Sequence, residues 1–355
     1  MDRASVEQRL TEGGIFDEES LDGLDLAGLD FGGGVLSKVS LRGANLTGAR
    51  LSECTLSECQ MGGARLDDAA LRHANLVQCK GERATFARAN LTGASIVECD
   101  FTGADFTGAD FSIANVGGCK LDGASLVGAN LDRAALVDAT FDEADLSRAI
   151  LRKATFFRSD LRTAKLDGAT FDTTILFEAK LAGQSFKGFA LPLCQFIDAD
   201  LEGACFDGAT LTQANFKGAK LIGASFLKAR APMAIFHLAK LATARFCQAV
   251  LTQALFEEVN AEAADFSGAD LQQSIWVRAN CTATRLIGCD LTYADFSHAR
   301  LLKADLTGAR MFRTRLHRAA TEGAVMPAGS AAALGDEEKL VEAEDWWERH
   351  RPPRS

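Results

Sequence analysis

One large apolar residue recurs at every fifth position along most of the chain. From Leu21 to Leu316, 60 consecutive five-residue units share one register without an insertion or a deletion. We call this residue the centre of its unit. It is Leu, Phe, Ile, Val, Met or Trp in every unit except those centred on Gly81, Ala231, Ala261 and Cys281. The residue two positions before the centre, the small position, is nearly always small and usually Ala.

A period of five matches neither the 3.6-residue period of a helix nor the two-residue period of a strand. The residue two positions after the centre, the corner position, is Gly in 22 of the 60 units, as at Gly43 and Gly103. Glycine accepts the positive φ that several turn types require. Pro192 and Pro232 each lie one position after a centre, where a turn accepts the proline φ of about −65°. The pattern therefore predicts one corner in every unit.

This pattern resembles the pentapeptide-repeat family over residues 21–318. The resemblance is carried by motifs such as ANLTG at 44–48, ADFTG at 104–108 and ADLTG at 304–308. It implies an all-β fold, a right-handed quadrilateral parallel β-helix with four units per coil and about 15 coils. Short helical segments are expected at both ends.

Coils of 20 residues would sort the centres into four columns, in which equivalent positions of successive coils become neighbours. Small centres share a coil with large rings, as Ala231 does with Phe226. Because an interior of constant volume resists both voids and overlaps, we interpret the rings as core and not as the lining of a ligand channel. Two of the columns are largely aromatic: Phe186, Phe206, Phe226, Phe246 and Phe266, and Phe196, Phe216, Phe236, Phe256, Trp276 and Phe296.

The residues that could carry chemistry give no sign of an active site. Seven of the ten cysteines occupy small positions, and four of these lie one coil apart: Cys59, Cys79, Cys99 and Cys119. The Cβ atoms of neighbouring cysteines in such a ladder are about 4.8 Å apart, which is longer than the Cβ–Cβ distance of a disulfide. Four thiols in a line also cannot surround a zinc ion tetrahedrally. The five histidines are scattered along the chain. We predict reduced, buried thiols, no catalytic residue, cofactor, metal ion or small-molecule substrate, and no enzymatic activity.

Both ends of the chain depart from the repeat. We predict an N-terminal capping segment over 1–20, the β-helix over 21–318, a flexible linker over 319–335 and a C-terminal tail over 336–355. Asp336 resembles an N-cap and Pro352 ends the pattern, so the tail should hold a helix from Glu337 to Arg349. The apolar residues of that helix are Leu340, Val341, Trp346 and Trp347.

The chain shows no apolar run of 18 residues and no signal-peptide pattern in Met1–Ser20. We therefore expect a cytoplasmic protein without a membrane span. The resemblance implies a bacterial protein of one of two functional classes. One is a protein-interaction scaffold, which includes family members that accompany bacterial secretion systems. The other is a DNA mimic that binds gyrase or another type II topoisomerase, as in quinolone resistance or antibiotic self-immunity.

Charge separates these two classes. The formal net charge is −10, but residues 1–20 (six acidic, two basic) and 319–355 (eight acidic, four basic) each carry −4, which leaves −2 on 21–318. Fifteen coils stacked about 4.8 Å apart would form a solenoid roughly 70 Å long. Duplex DNA of that length would carry roughly 40 negative charges. Residues 151–250 lean basic, with 13 basic and eight acidic residues, but no aromatic platform accompanies them. The sequence therefore favours the scaffold, with DNA mimicry as the alternative, and disfavours direct nucleic-acid binding.

Apolar residues next to the centres concentrate on one side of the expected solenoid. We call this side the fourth face; its centres are Leu36 and every twentieth residue after it. It holds twelve Val, Ile, Leu or Phe residues, against two or three on each other face. They are Val35, Val77, Val97, Val137, Phe157, Ile175, Phe177, Ile197, Ile235, Leu255, Ile275 and Val277. The eight from Phe157 onward form the predicted interaction surface, to be covered by a protein partner, by a second copy in a homodimer or by the chain's own tail.

Overall fold

Parallel β-bridges join residues 20 positions apart, as between Asn45 and Arg65 and between Asn260 and Asn280. The computed structural model describes residues 1–328 and 333–350. Two units can be distinguished: the first comprises Met1–Gln184 and Ala190–Ala199, and the second comprises Ser185–Phe189 and the described residues from Asp200 onward. Each unit is a parallel β-solenoid, which confirms the predicted fold class.

The first unit contains one helix and one parallel sheet, whose strand order is the chain order. Seven turns separate the eight strands, fewer than the expected coils, because elsewhere the coils pair through single-residue bridges. The elements are α1 (Arg3–Thr11), β1 (Ile15–Asp17), β2 (Val35–Ser37), β3 (Thr55–Ser57), β4 (Asn75–Val77), β5 (Ser95–Val97), β6 (Asn115–Gly117), β7 (Ala135–Val137) and β8 (Thr155–Phe157). Each strand lies on the fourth face, and only its middle residue, the centre, is buried.

The corner position explains how five residues make one side of a coil. Gly43 has φ +63°, and residues with side chains adopt the same left-handed conformation, as Glu53 does at φ +60°. The Glu53 N–H donates to the Arg72 carbonyl of the next coil at 2.8 Å, and the Ala44 N–H donates back to the Leu41 carbonyl at 3.0 Å. Left-handed backbone is unfavourable for residues with a Cβ. Hydrogen bonding between coils therefore imposes the corner, and glycine only makes it easier.

The predicted aromatic columns form the interior of the second unit. Neighbouring rings in one column stack with centroids 4.4 to 5.0 Å apart, from Phe186 to Phe266. The other column stacks from Phe216 to Phe296 through Trp276, at 4.1 to 5.3 Å. Rings of the two columns meet edge to face, as Phe226 and Phe236 do at 5.9 Å. Each such pair contributes about 0.5–1.5 kcal/mol beyond its buried area, and the rings are fully buried, so the interpretation as core is confirmed.

Gly81, a small centre, owes its size to a neighbour in the next coil. A Cβ built on Gly81 would lie 2.6 Å from Cε1 of Phe101, whose ring fills the space beside it. Phe101 packs edge to face on both Phe86 and Phe106, at 5.5 and 5.3 Å. The ring cannot turn aside without disturbing these contacts. The size of a small centre is therefore limited by the ring stacked on it in the next coil, as well as by the rings of its own coil.

The cysteine ladder is free and buried as predicted. The Cys59 Sγ–H donates to the Leu36 carbonyl at 3.3 Å, and the Cys79 Sγ–H donates to the Leu56 carbonyl at 3.3 Å. Elsewhere in the solenoids burial raises the pKa of Cys54 to about 11 and that of Cys281 to about 12. Cys54 and Cys281 are therefore protonated packing residues.

The N-terminal segment contacts the first coil. Helix α1 begins after Asp2, whose carboxylate accepts from the Ser5 N–H at 2.9 Å, and it buries Val6. Arg3 donates to the carbonyls of Asp25 and Ala27 at 2.9 and 3.2 Å. The repeat itself begins one unit earlier than Leu21, because Phe16 is buried and pairs with Leu36.

At the other end, part of the predicted linker belongs to the solenoid. Ala320 pairs with Arg300, Val325 pairs with Asp305, and Leu334 pairs with Arg315; residues 329–332 lie outside the described chain. Helix α2 runs from Glu338 to His350, one residue later than predicted; the last residues of the predicted tail, 351–355, also lie outside it. Neither α1 nor α2, the helices of the described chain, is long and apolar enough to cross a membrane.

The Asp336 prediction was wrong in its detail. Its Oδ1 accepts from the Arg318 N–H at 2.6 Å instead of capping α2. The Asp336 side chain therefore joins the tail to the last coil. Local helix signals in the sequence cannot reveal such a contact.

We predict that Gly81→Ala lowers the free energy of unfolding by about 1–3 kcal/mol, because the new methyl group overlaps the Phe101 ring. Combining it with Phe101→Leu should cost less than the sum of the two single changes. Gly117→Ala is the matched control, since a Cβ there meets no atom within 4 Å. Denaturant unfolding of the four variants measures this, and an additive pair would contradict the steric explanation.

We also predict that the native protein exposes few reactive thiols. Eight of the ten cysteines are buried, and only Cys205 and Cys247 are partly exposed. Alkylation followed by intact-mass analysis should therefore show at most two rapid additions at pH 8, and ten after unfolding. Rapid labelling of a third thiol, or a disulfide in freshly purified protein, would disprove the buried ladder.

Candidate functional site

Apolar side chains form a ridge on the outer surface of the sheet in the first unit. Register pairing aligns Val77, Val97, Gly117, Val137 and Phe157, each the residue that follows a centre. The same column continues with Phe177 and Ile197. We call the apolar members of this column the first ridge. None is buried, so the ridge is a surface that the described chain leaves accessible.

The aromatic part of the first ridge is ordered by stacking. The Phe157 and Phe177 rings are 5.4 Å apart and 8° from parallel. The Arg158 guanidinium lies 4.4 Å from the Phe157 centroid and 2.9 Å from the Asp138 carboxylate. Ile175, on the other side of the Leu176 centre, is 37% exposed. The stretch ILF at 175–177 thus presents one apolar side chain on each side of a buried centre.

The second unit carries its ridge on the other side of the centres. Here the residues that precede the centres are apolar, and Ile235, Leu255 and Ile275 pair in successive coils. We call these three residues the second ridge; Val277 lies beside it and is also not buried. The column continues through Asp295 and Arg315, 3.6 Å apart, to Leu334. The structure therefore resolves the twelve predicted residues into one ridge in each unit plus individual neighbours.

Helix α2 is held on the last coils by polar contacts around Arg318. The Arg318 Nε lies 3.0 Å from Glu344 Oε2, and its Nη2 donates to the Val341 carbonyl at 3.2 Å and to the Asp345 carboxylate. The hydrogen bond to Asp345 raises the pKa of Arg318. One arginine at a corner position therefore contacts three residues of the helix.

Two histidines meet the same carboxylate of α2. His298 Nε2 lies 3.2 Å from Glu344 Oε1, and His317 Nε2 lies 3.2 Å from Glu344 Oε2. Burial alone would raise the pKa of Glu344, but its contacts with His317 and His298 outweigh burial and hold that pKa below its ordinary value. His317 is itself buried. Polar groups thus form the contact between α2 and the solenoid of the second unit.

Three of the four large apolar side chains of α2 are exposed. Trp346 and Trp347 are 57% and 59% exposed, and Leu340 is 42% exposed; Val341 is partly buried. Trp346 stacks on His350 with centroids 4.6 Å apart. The two tryptophans therefore present a further apolar surface of their own.

Two shallow clefts lead from the second ridge to α2. Both are lined by Arg315 and Leu334, a leucine that is 47% exposed. The first cleft also includes Ile275 and Tyr293, and the second includes Leu340. Apolar side chains thus follow one another from Ile275 through Leu334 to Leu340. In chemical terms this region can bury apolar groups of a ligand and contact its polar groups through Asp295 and Arg315.

Sequence reasoning missed the residues that position α2. The histidines were interpreted as scattered, but the rings of His298 and His317 lie 5.5 Å apart. Their separation of 19 residues is close to the 20-residue coil, and that signal would have revealed their proximity. Nothing in the repeat indicated that Arg318 and Glu344 would meet, because the path of the chain after the last coil is not fixed by the period.

The solved structures to which this chain is similar include those of two proteins. One is HetL, a pentapeptide repeat protein involved in heterocyst differentiation regulation from the cyanobacterium Nostoc sp. strain PCC 7120. Its sequence is 27% identical, the match covers 67% of this chain and 90% of the HetL chain, and the TM-score is 0.39. Full-length QnrB1, a plasmid-mediated fluoroquinolone resistance protein, is 20% identical, covers 54% and 91%, and gives a TM-score of 0.34. No curated protein matches the chain significantly.

The family itself is established by sequence. The model described as pentapeptide repeats matches eight segments that together span most of the chain. They are residues 20–57, 64–103, 84–123, 136–172, 174–213, 194–230, 234–275 and 278–318. The chain belongs to the pentapeptide-repeat family.

Proposed function

We propose that this protein is a non-enzymatic interaction scaffold that binds a protein partner through its apolar ridges and through the exposed face of α2. The observation that carries the proposal is the orientation of α2. Its polar residues contact the solenoid, whereas Leu340, Trp346 and Trp347 are exposed. Exposed tryptophan is costly in water and is enriched among the residues that dominate protein interfaces.

The charges around these tryptophans define the partner that would fit. Glu344 and Asp345 contact Arg318 and the histidines, whereas Glu338, Glu342 and Glu348 are exposed. A complementary surface would combine an apolar groove with a basic rim, because unlike charges at the rim steer association. A second copy of the chain meets this requirement poorly, since it would bring the same acidic helix. We therefore favour a different protein over a homodimer.

The alternative of DNA mimicry is less well supported. Many acidic side chains on the solenoids are paired with a base one coil away, as Asp100 is with Lys120 at 3.6 Å and Asp160 with Lys180 at 3.7 Å. These exposed pairs add little stability, but they neutralise the charge that a mimic would need. Inhibition of gyrase supercoiling by micromolar protein would favour the alternative.

A scaffold role is also consistent with the buried cysteines. The buried cysteines are shielded from reagents and substrates by the packed interior, so we assign them to packing and not to nucleophilic chemistry. Reduced cysteines are typical of reducing compartments, and we propose that the protein acts in the bacterial cytoplasm. Association with a secretion system remains part of this proposal, to be tested by identifying the partner.

We predict that replacing Ile175, Phe177, Ile235 and Ile275 together by Ser weakens partner binding by about a hundredfold or more, because truncated interface anchors often cost more than about 1 kcal/mol each. The melting temperature should change little, since these side chains point outward. The partner is first identified by affinity purification with the wild-type chain, and the affinity of the purified pair is then measured by calorimetry.

The control for the ridge variant is Leu193→Ser with Met233→Ser. These corner residues are 43% and 41% exposed, similar to the ridge residues, but they lie on a different face. Their replacement should leave binding intact. Equal affinity of the ridge variant and this control would show that the ridges are not the interface.

We further predict that Trp346→Ala with Trp347→Ala reduces binding without changing the stability of the solenoids. Of the three tryptophans only Trp276 is buried, so partner binding should shift the fluorescence of the exposed pair to shorter wavelength. Lys339→Ala with Glu342→Ala is the matched control on the same helix. If the partner binds tightly and the emission of the wild-type chain does not shift, α2 is not part of the interface.

A further inference from the structure

Two rings and one carboxylate converge where α2 meets the solenoid of the second unit. His298 occupies a corner position, His317 follows the centre of the next coil, and Glu344 comes from α2. Their ligand atoms all lie within 4.8 Å of one another. Each ring directs Nε2 to a different oxygen of Glu344, at 3.2 Å. No other group of three such residues with this proximity occurs in the described chain.

We propose that His298, His317 and Glu344 bind a divalent transition metal ion, with Zn²⁺ as the best fit. Imidazole nitrogen and carboxylate oxygen bind zinc at about 2.0–2.2 Å, so two ligands of a tetrahedral ion lie roughly 3.3–3.5 Å apart. The separation between His298 Nε2 and Glu344 Oε1 is 3.2 Å, already close to this value, and the ligand atoms of all three residues lie within 4.8 Å of one another. Two imidazoles favour zinc, copper, nickel or cobalt over magnesium and calcium. Water would complete the coordination.

The surroundings of His317 supply the outer contact that such a ligand needs. Its Nδ1 lies 3.6 Å from Asp336 Oδ1 and accepts from the Glu337 N–H at 3.4 Å. Binding of a metal ion at Nε2 fixes the ring proton on Nδ1, where the Asp336 carboxylate can accept it. Metal-ligating histidines usually donate their second nitrogen in this way. The Glu337 contact is exchanged for the Asp336 hydrogen bond.

Arg318 is the group that opposes a cation here, because its Nε lies 3.0 Å from Glu344 Oε2. The Asp345 carboxylate pairs with the same guanidinium and offsets its charge. Arg318 contacts Oε2 only, so Oε1 is the oxygen available to the ion together with both rings. The metal ion would then join two successive coils to α2 and fix the helix that bears Trp346 and Trp347.

The test uses the untagged full-length chain, freed of metal by dialysis against a chelator. Zn²⁺ is titrated in competition with a chromophoric chelator, and we expect one ion per chain. His298→Ala and Glu344→Gln should each weaken binding by about tenfold or more, and Asp336→Asn by about tenfold. His237→Ala is the matched control: His237 lies 3.7 Å from Glu257 but has no third ligand, so its loss should leave the affinity unchanged.

Cysteine is also a zinc ligand, and its contribution must be separated. Co²⁺ bound by nitrogen and oxygen should show weak visible bands without thiolate charge transfer, and alkylation of the accessible thiols should leave binding intact. Zn²⁺ should slow proteolysis of α2 in the wild type but not in Glu344→Gln, whose solenoid melting is checked separately. The proposal is overturned if the wild type binds no ion, or if His298→Ala and Glu344→Gln bind as tightly as His237→Ala.

Discussion

Backbone hydrogen bonding between residues one coil apart is the interaction on which the rest of each unit depends. It fixes a 20-residue repeat and forces the corner residues into left-handed backbone, whether or not they are glycine. Once coils stack at strand spacing, equivalent side chains become neighbours. A single residue choice repeated every 20 positions then becomes a continuous structure, such as the stacked rings from Phe186 to Phe266 or the thiols from Cys59 to Cys119. The same rule acts outside, where it aligns ion pairs and apolar ridges.

The interior was predictable because it is constrained on every side. Each centre has a neighbour above and below, so size at one position limits size at the next, and the Gly81–Phe101 contact is the clearest case. The predicted registers, aromatic columns and cysteine ladder follow from this constraint alone. The surface ridges were predicted only as a bias of one face towards apolar residues. The sequence count pooled residues that precede a centre with those that follow it, although their positions in the sequence distinguish the second ridge from the first.

The ends were less predictable, for an identifiable reason. Thr321 is a polar centre, and it hid the continuation of the repeat, although Ala319, Gly323 and Ala324 keep the small and corner positions. Beyond it the described chain still pairs at Val325 and at Leu334 before α2 begins. From there the period carries no information. The position of α2 is determined by the side-chain contacts of Arg318, His317 and Glu344. The repeat pattern alone does not distinguish these residues from other surface residues.

That chemistry bears directly on how the protein would meet a partner. A helix packed through leucine and tryptophan would have closed the end of the solenoid and hidden its apolar residues. Polar attachment has the opposite result: the contact with the last coils depends on charge and hydrogen bonding, and the apolar side chains remain available. Such a contact is weaker per unit area than an apolar one, since ion pairs near water contribute little. A metal ion shared by two coils and the helix would supply the missing stability without using any of the exposed apolar surface. Fixing the helix in advance would also lower the entropic cost of ordering it when a partner binds.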